Sequence, residues 1–335
     1  NWSKRKVPYI KGEDRLRNKK PQYYEKIEGF LKVTSSEKLC EVIEKIKPDL
    51  VHSLEMQSQT YHVLKAYKKL DFKWAYSSWG SDLYFYNEKS EHSSKIKKVL
   101  SEIDYFFSDN TRDVLLASNL GFTGIKSFVF PGGGGYRLKV YNKYILSVEQ
   151  RTKILIKGYH HWAGRALHVL DALENIFEKI KDHDIYVYSA HQVVVDRIKQ
   201  LNTKYNLKIE YSTRNKELSH DGLLQKFGEA QIAIGNSISD GIPNTLLEAI
   251  ICGALPIQSN PSGVSEDYIE EGSNGLLIQD PESTEEIAAK ISLALNNIEL
   301  RKRAFEINQD KAKRLDYELV KEKVLGIYRK IEEAI

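Results

Sequence analysis

A chain of 335 residues, 41% hydrophobic and 29% charged, is long enough for two domains with ample cores and has the composition of a soluble globular protein. No apolar run approaches the ~18 residues that span a bilayer. The two cysteines, Cys40 and Cys252, exclude a disulfide framework or a cysteine metal cluster and point to a reducing cytoplasm. The net charge of +4 is uneven: Lys4, Arg5, Lys6, Lys11, Arg15, Arg17, Lys19 and Lys20 face only Glu13 and Asp14 in the first 20 residues, and Lys95, Lys97 and Lys98 form a second cluster. Such a basic half suits an anionic surface, a membrane or a lipid-phosphate acceptor. Without interleaved aromatics or a known binding module, nucleic acid is not expected as a partner.

Only a weak strand, Val7–Ile10, precedes the first regular elements. Periodicity then predicts a helix over 36–47, with Leu39, Cys40, Val42, Ile43 and Ile46 on one side. A short strand Leu50–Ser53, a helix over about 58–69 and the strand Lys73–Ser77 lead to the loop Trp79–Asp82. A helix near 92–102, the strand Tyr105–Ser108, a helix near 111–120 and the strand Phe128–Phe130 complete the first half. Alternating strands and helices imply a parallel sheet. After the glycine loop Pro131–Gly135, residues 136–150 lack a period and read as a linker. The pattern restarts with strand Lys153–Lys157, helix 164–180, strand 185–189, helix 191–204, strand 208–211 and helix 217–228. Helices near 282–296 and 298–310 follow, and a last one over about 316–333 has Leu319, Val320, Val324, Ile327, Tyr328 and Ile331 at helical spacing.

Between them lies the stretch around which the chain is organised, Asn236–Asn260. The apolar run Gln231–Gly235 reads as a buried strand, Asp240-Gly241 as a turn, and Pro243 as the start of a helix, where its missing N–H costs nothing. Leu246, Leu247, Ala249, Ile250 and Ile251 bury that helix, Gly253 ends it, and Leu255–Ser259 is the next strand. This is one βαβ unit, and its helix N-terminus attracts anions through free N–H groups and the helix dipole. Asp240 before the helix and Glu248 within it sit at the carboxyl edge of the sheet, where open α/β sheets bind ligands.

The stretch resembles the signature of the family 4 glycosyltransferases (glycosyl transferases group 1), retaining enzymes of the GT-B fold. The shared residues are Asp240-Gly241, Glu248-Ala249 and Gly253-Ala-Leu-Pro-Ile257, with Asp240 where the family usually has Glu. The resemblance extends over most of 40–310. It implies an α/β architecture of two Rossmann-like domains with parallel sheets facing a central cleft. Residues 1–148 would be the acceptor-side domain, 149–315 the nucleotide-sugar domain, and 316–335 a helix crossing back to the first. The family opens with a strand and a glycine loop that this sequence, which begins at Asn1, does not display, so part of the first domain is expected to be missing.

The resemblance also implies site residues. Glu248 would accept hydrogen bonds from the donor's ribose hydroxyls. Asp240 would meet a hydroxyl of the donor sugar, beside the N–H groups of Gly241, Ile242 and Asn244 around Pro243. The family often has His before the loop glycine; Trp79 stands there, so Asp82 becomes the candidate for a polar contact with the transferred sugar. In the diphosphate-binding segment Tyr159 and Ala163 replace the usual Arg and Lys, which leaves Lys157 and Arg165 to supply positive charge to the leaving diphosphate. No metal or other cofactor is expected: His160-His161 are adjacent, and Asp182-His-Asp184 precedes a strand rather than following one. His220 reads as a helix-cap or surface residue.

The implied activity is transfer of a sugar from a nucleotide-sugar donor to a hydroxyl of a glycan or lipid-linked acceptor, in surface polysaccharide or lipopolysaccharide assembly, in the cytoplasm or on the inner face of the membrane. A sugar-nucleotide 2-epimerase of the same fold and a non-catalytic nucleotide-sugar or glycan-binding subunit stay open. A nicotinamide dehydrogenase is not expected, because no Gly-x-Gly-x-x-Gly follows a strand and opens a helix.

Overall fold

The computed structural model describes Lys6 and residues 10–335; of the expected strand Val7–Ile10, all but Ile10 falls outside the described residues. Two separate parallel sheets form. The first has four strands in the order β1 (Leu50–Leu54), β2 (Lys73–Ser77), β3 (Tyr105–Ser108) and β4 (Lys126–Val129). The second has six in the order β10-β9-β8-β5-β6-β7, built from β5 (Lys153–Lys157), β6 (Asp184–Ala190), β7 (Glu210–Thr213), β8 (Ala230–Gly235), β9 (Leu255–Ser259) and β10 (Leu276–Ile278). The strand order of the second sheet reverses beside β5, which opens a crevice at the carboxyl ends of β5 and β8.

The helices of the first half are α1 (Glu13–Lys19), α2 (Pro21–Leu31), α3 (Ser35–Ile46), α4 (Tyr61–Tyr67), α5 (Ser81–Tyr84), α6 (Ser90–Leu100) and α7 (Thr111–Asn119). A short α8 (Leu138–Tyr141) lies in the connection. The second half carries α9 (Ala166–Asn175), α10 (Phe177–Ile180), α11 (Gln192–Tyr205), α12 (His220–Glu229), α13 (Asn244–Cys252), α14 (Thr284–Asn296), α15 (Ile298–Ala312) and α16 (Tyr317–Glu332). Local chemistry sets several ends. Thr34 and Glu37 form a reciprocal capping box on α3, and Gly253, at φ 85°, ends α13 in the left-handed conformation that glycine adopts without strain. The helix expected over 164–180 breaks at Ile176 into α9 and α10. Neither α1, α2 nor the three-residue β10 was foreseen from periodicity.

The two cores differ in kind. The first is aromatic, with Trp74, Tyr76, Phe106 and Met56 fully buried. The second is aliphatic, with Ile154, Ile156, Val187, Ile232 and Ile257 packed against α9, α11 and α14. Helix α16 leaves the second half and lies on the first sheet, where Ile327 and Ile331 cluster with Ala75, Tyr105, Phe107 and Phe128. At its start the chain is laced to the connection: the Tyr136 N–H donates to Leu315 O (2.7 Å) and the Tyr317 N–H to Tyr136 O (2.9 Å).

The domains meet at the carboxyl edges of both sheets. Gly80, at φ 84°, lies so close to the β8–α13 loop that a Cβ there would stand 2.2 Å from Gly241 N, so only glycine fits. Arg112 donates to Asp240 O (3.0 Å) and Pro261 O (2.9 Å), and the Thr111 N–H donates to Asp267 Oδ2 (2.7 Å). At another point of the seam, the Trp162 ring packs 4.6 Å from that of Phe85.

Candidate active site

A cavity of about 950 Å³ opens between the two sheets. The first domain lines it with His52, Ser77, Ser78, Trp79, Asp109 and Phe130, and the second with Lys157, Tyr159, Tyr188, Ser189, Glu217, Asp240 and residues 242–245. Val324 and Tyr328 of α16 close one side. A smaller cavity of about 240 Å³ shares Lys157, Tyr159 and Asp240 and adds His161, Trp162, Ser237 and Ser239. Lys157, the last residue of β5, and Asp240, in the loop after β8, thus stand on the wall common to both. Burial pushes the Asp240 carboxyl up, and the Lys157 ammonium, the Gly241 N–H and Arg112 pull it back.

The β8–α13 loop is partly occupied from within. The Gly241 N–H donates to Asp240 Oδ1 (3.0 Å), and the Ile242 N–H donates across the domain seam to Asp109 Oδ2 (3.1 Å). Asn244 Oδ1 accepts from the Tyr136 hydroxyl (3.0 Å). Ile242, Pro243 and Asn244 line the large cavity, whereas Gly241 faces Gly80. The N–H groups of Asn244 and Thr245 have no partner among the described residues, so the positive end of α13 opens into the cavity. One turn further in, Glu248 is buried and bonds His220 Nε2 (2.7 Å). Burial raises the Glu248 pKa, opposed by His220. His220 is therefore a side-chain partner of Glu248 rather than only a cap or surface residue.

Two expected contacts are corrected. Asp82 lines neither cavity: its carboxylate turns into the first domain and accepts from the Tyr76 hydroxyl (2.7 Å), the Trp79 N–H (2.8 Å) and the Met56 N–H (3.0 Å). Burial lifts its pKa to about 7. It fixes the Trp79 loop and does not point at a sugar. Arg165 also lines neither cavity. Its guanidinium folds back over the Tyr159–Gly164 loop, pairs with Glu282 (2.7 Å) and donates to Gly164 O (3.1 Å), so its charge is engaged within its own domain.

His52 and Asp109, also in the large cavity, had no local signal. His52 bonds Ser77 Oγ (2.8 Å) and the Tyr328 hydroxyl, and burial holds its pKa down at about 4, a neutral ring. Asp109 is pushed up to about 6, by burial first and then by Asp113 and Asp240, against Asn110 and the Ile242 N–H. Tyr159, which replaces an expected Arg, has the Lys157 ammonium (4.8 Å) and the Arg214 guanidinium (5.1 Å) over its ring. Their cross-chain positions, not their neighbours in sequence, bring them to the cleft. Among the described residues no group of three His, Cys, Asp or Glu is placed to hold a metal ion.

Residues 148–311 match the family described as Glycosyl transferases group 1, and residues 14–110 match Glycosyl transferase 4-like. The two matches together reach into both domains and are consistent with a glycosyltransferase. The first match spans β5 to α15 and so includes Lys157, Arg165, Asp240 and Glu248; the second ends beside Asp109. Among solved structures, sucrose-phosphate synthase from Thermosynechococcus elongatus superposes with a TM-score of 0.70 at 17% identity, over 98% of this chain and 81% of that one. A glycosyltransferase from Rickettsia africae gives 0.64 at 20% identity over 88% and 80%. Anabaena HepE in complex with UDP-glucose gives 0.66 at 13% identity over 88% and 82%. These likenesses show the fold, which is GT-B. No curated protein sequence matches the chain.

Proposed function

We propose that the chain is a retaining, family 4 glycosyltransferase that moves a hexosyl or related sugar from a nucleotide donor to a hydroxyl acceptor. The observation that carries the reading is the juxtaposition of Lys157 and Asp240 on the wall shared by both cavities, beside the open N-terminus of α13. In this reading the diphosphate lies between the Lys157 ammonium and the N–H groups of Asn244 and Thr245, where fixed positive charge stabilises the leaving group as the glycosidic bond breaks. Asp240 accepts a sugar hydroxyl, and Glu248 accepts the ribose hydroxyls once His220 yields or shares its oxygen. A donor phosphate oxygen takes the acceptor's proton on the face the diphosphate leaves, so no side-chain nucleophile is needed.

HepE is known in complex with UDP and with UDP-glucose, which supports a uridine donor. We assign no metal to the reaction. The basic first 20 residues support a lipid-linked or membrane-attached acceptor in surface polysaccharide assembly, with the protein peripheral on the cytoplasmic face. Incubation with UDP-glucose in excess EDTA tests the core of this: transfer or slow donor hydrolysis, with retained anomeric configuration, is expected, and binding that disappears with EDTA would overturn the metal-free reading.

A second reading, a non-catalytic nucleotide-sugar-binding subunit, draws on the engagement of Arg165 with Glu282, which leaves Lys157 as the lysine or arginine lining these two cavities among the described residues. Binding of UDP-glucose with neither transfer nor hydrolysis marks that case.

A further inference from the structure

Helix α2 buries Tyr24 and Leu31 and turns a different stripe outward. Tyr23, Ile27 and Phe30, at helical spacing, are 62%, 39% and 75% exposed. Apolar side chains in such a row, on a short helix with nothing packed over them among the described residues, mark an interaction surface.

The charges around the stripe identify the partner. The ammonium groups of Lys20 and Lys26 stand 5.6 and 5.8 Å from the centre of the Tyr23 ring, at the margin of the apolar row. The carboxylates nearby are mostly engaged: Glu13 accepts from the Tyr24 hydroxyl (2.9 Å), Asp14 pairs with Arg17 (2.9 Å) and Glu28 with Lys32. Lys11, Arg15 and Lys19 are exposed and, like Lys20 and Lys26, have no carboxylate partner among the described residues; Glu25 alone on α2 opposes them. A second copy would bring the same cations together, which is unfavourable. Nucleic acid would match the charge but leave Ile27 and Phe30 without an apolar partner. An interface that takes apolar side chains into acyl chains, an aromatic ring at the headgroup level and lysines against anionic headgroups matches all three features.

We propose that the exposed face of α2 docks on an anionic lipid bilayer, with Ile27 and Phe30 inserted and Lys20 and Lys26 at the headgroups. This deepens the membrane-attached acceptor reading by naming the surface, and its test needs neither donor nor acceptor, so a failed transferase reading leaves it legible.

The full chain is sedimented with vesicles of phosphatidylcholine alone and of phosphatidylcholine with phosphatidylglycerol, at low and high salt. Wild type is expected on the anionic vesicles and not on the neutral ones, with loss at high salt. Ile27→Ser/Phe30→Ser, which keeps every charge, and Lys20→Gln/Lys26→Gln, which keeps the stripe, should each lower the bound fraction about tenfold. Thermal midpoints within a few degrees of wild type would show both variants folded. Phe30→Trp should shift its emission to the blue on anionic vesicles alone. Equal binding to both lipids, or undiminished binding of Ile27→Ser/Phe30→Ser, would overturn the proposal. So would a wild-type dimer in solution that the same double substitution dissolves, since the stripe would then serve a second copy.

Discussion

Two parts of the interdomain cleft face each other within the same loops and are built on opposite principles. Where β3 runs into α7, Asp109, Arg112 and Thr111 bond Ile242 N, Asp240 O and Asp267, and the Arg112–Asp113 pair beneath them is buried. That seam is complete without a ligand. A few residues away, Lys157 and the first N–H groups of α13 border open space. The seam sets the distance between the domains, and the cavity is what that distance leaves open. Function is thus expected to be sensitive to two kinds of change, loss of an open group and loss of closure, and these should separate in measurement.

The largest effect is expected from an open group. Lys157→Met should lower kcat by about 10²–10³-fold, the cost of removing one fixed charge from a leaving group, with the thermal midpoint little changed; donor turnover under saturating UDP-glucose reads it. Glu248→Gln keeps size and helix propensity but turns an acceptor oxygen into a donor. It should weaken nucleotide affinity on the order of 10–100-fold, because charged hydrogen bonds contribute roughly 1.5–3 kcal/mol. Its midpoint should hold, since partner His220 is largely solvent-exposed. Calorimetric titration together with thermal melting distinguishes the two outcomes, and unchanged affinity with a lower midpoint would make Glu248 structural.

The seam is probed by Gly80→Ala, whose methyl would meet Gly241 N. It should cut kcat/KM about tenfold by holding the domains apart while nucleotide binding to the second domain survives. Asp109→Asn separates charge from geometry. The Asp109 carboxyl titrates at about 6 in the fold against 3.8 as a free side chain, so the folded state holds the proton more tightly. Its favourable contribution is present at low pH and is lost as pH rises from roughly 4 through 6. Asp109→Asn, which still accepts from Ile242, should therefore raise stability by about 1–3 kcal/mol above that window and leave it unchanged below. Melting curves across pH check the sign. Arg165→Gln should have the smallest effect, within about twofold on nucleotide affinity, because its guanidinium is already engaged with Glu282; a large loss would mean that the side chain swings into the cleft on binding.

The second domain was the more legible in sequence. Its central strands β5 and β8 are largely apolar runs, and Gly241, Pro243 and Gly253 punctuate the β8–α13–β9 unit where backbone chemistry requires them. From these residues the place of Asp240 and Glu248 near a carboxyl edge follows, whereas Lys157 entered only through the family resemblance; Asp240 and Lys157 line the cavities and Glu248 lines neither. Helices α1 and α2 were not legible, because each buries only one or two side chains, Glu13 in one and Tyr24 and Leu31 in the other, too few to set a period. The fates of Asp82 and Arg165 were hidden for a different reason. Whether a charged side chain faces a cavity depends on where Tyr76, Met56 and Glu282 stand in space, and those partners are distant or unremarkable in the chain. Asp109 was invisible on the same ground, since its partner Ile242 lies in the other domain.

The contact between Trp162 and Phe85 crosses the seam with one ring on each side. Trp74 is fully enclosed in the first core, so its light is indifferent to the cleft, whereas Trp162 is 49% exposed and is shielded on its remaining face by the opposite domain. Parting of the domains would hydrate that face and lengthen the wavelength of its emission. Trp79, 58% exposed on the cavity wall, would add its own signal, so with that residue replaced by phenylalanine Trp162 becomes an optical gauge of aperture, readable on the timescale of mixing and without any attached dye.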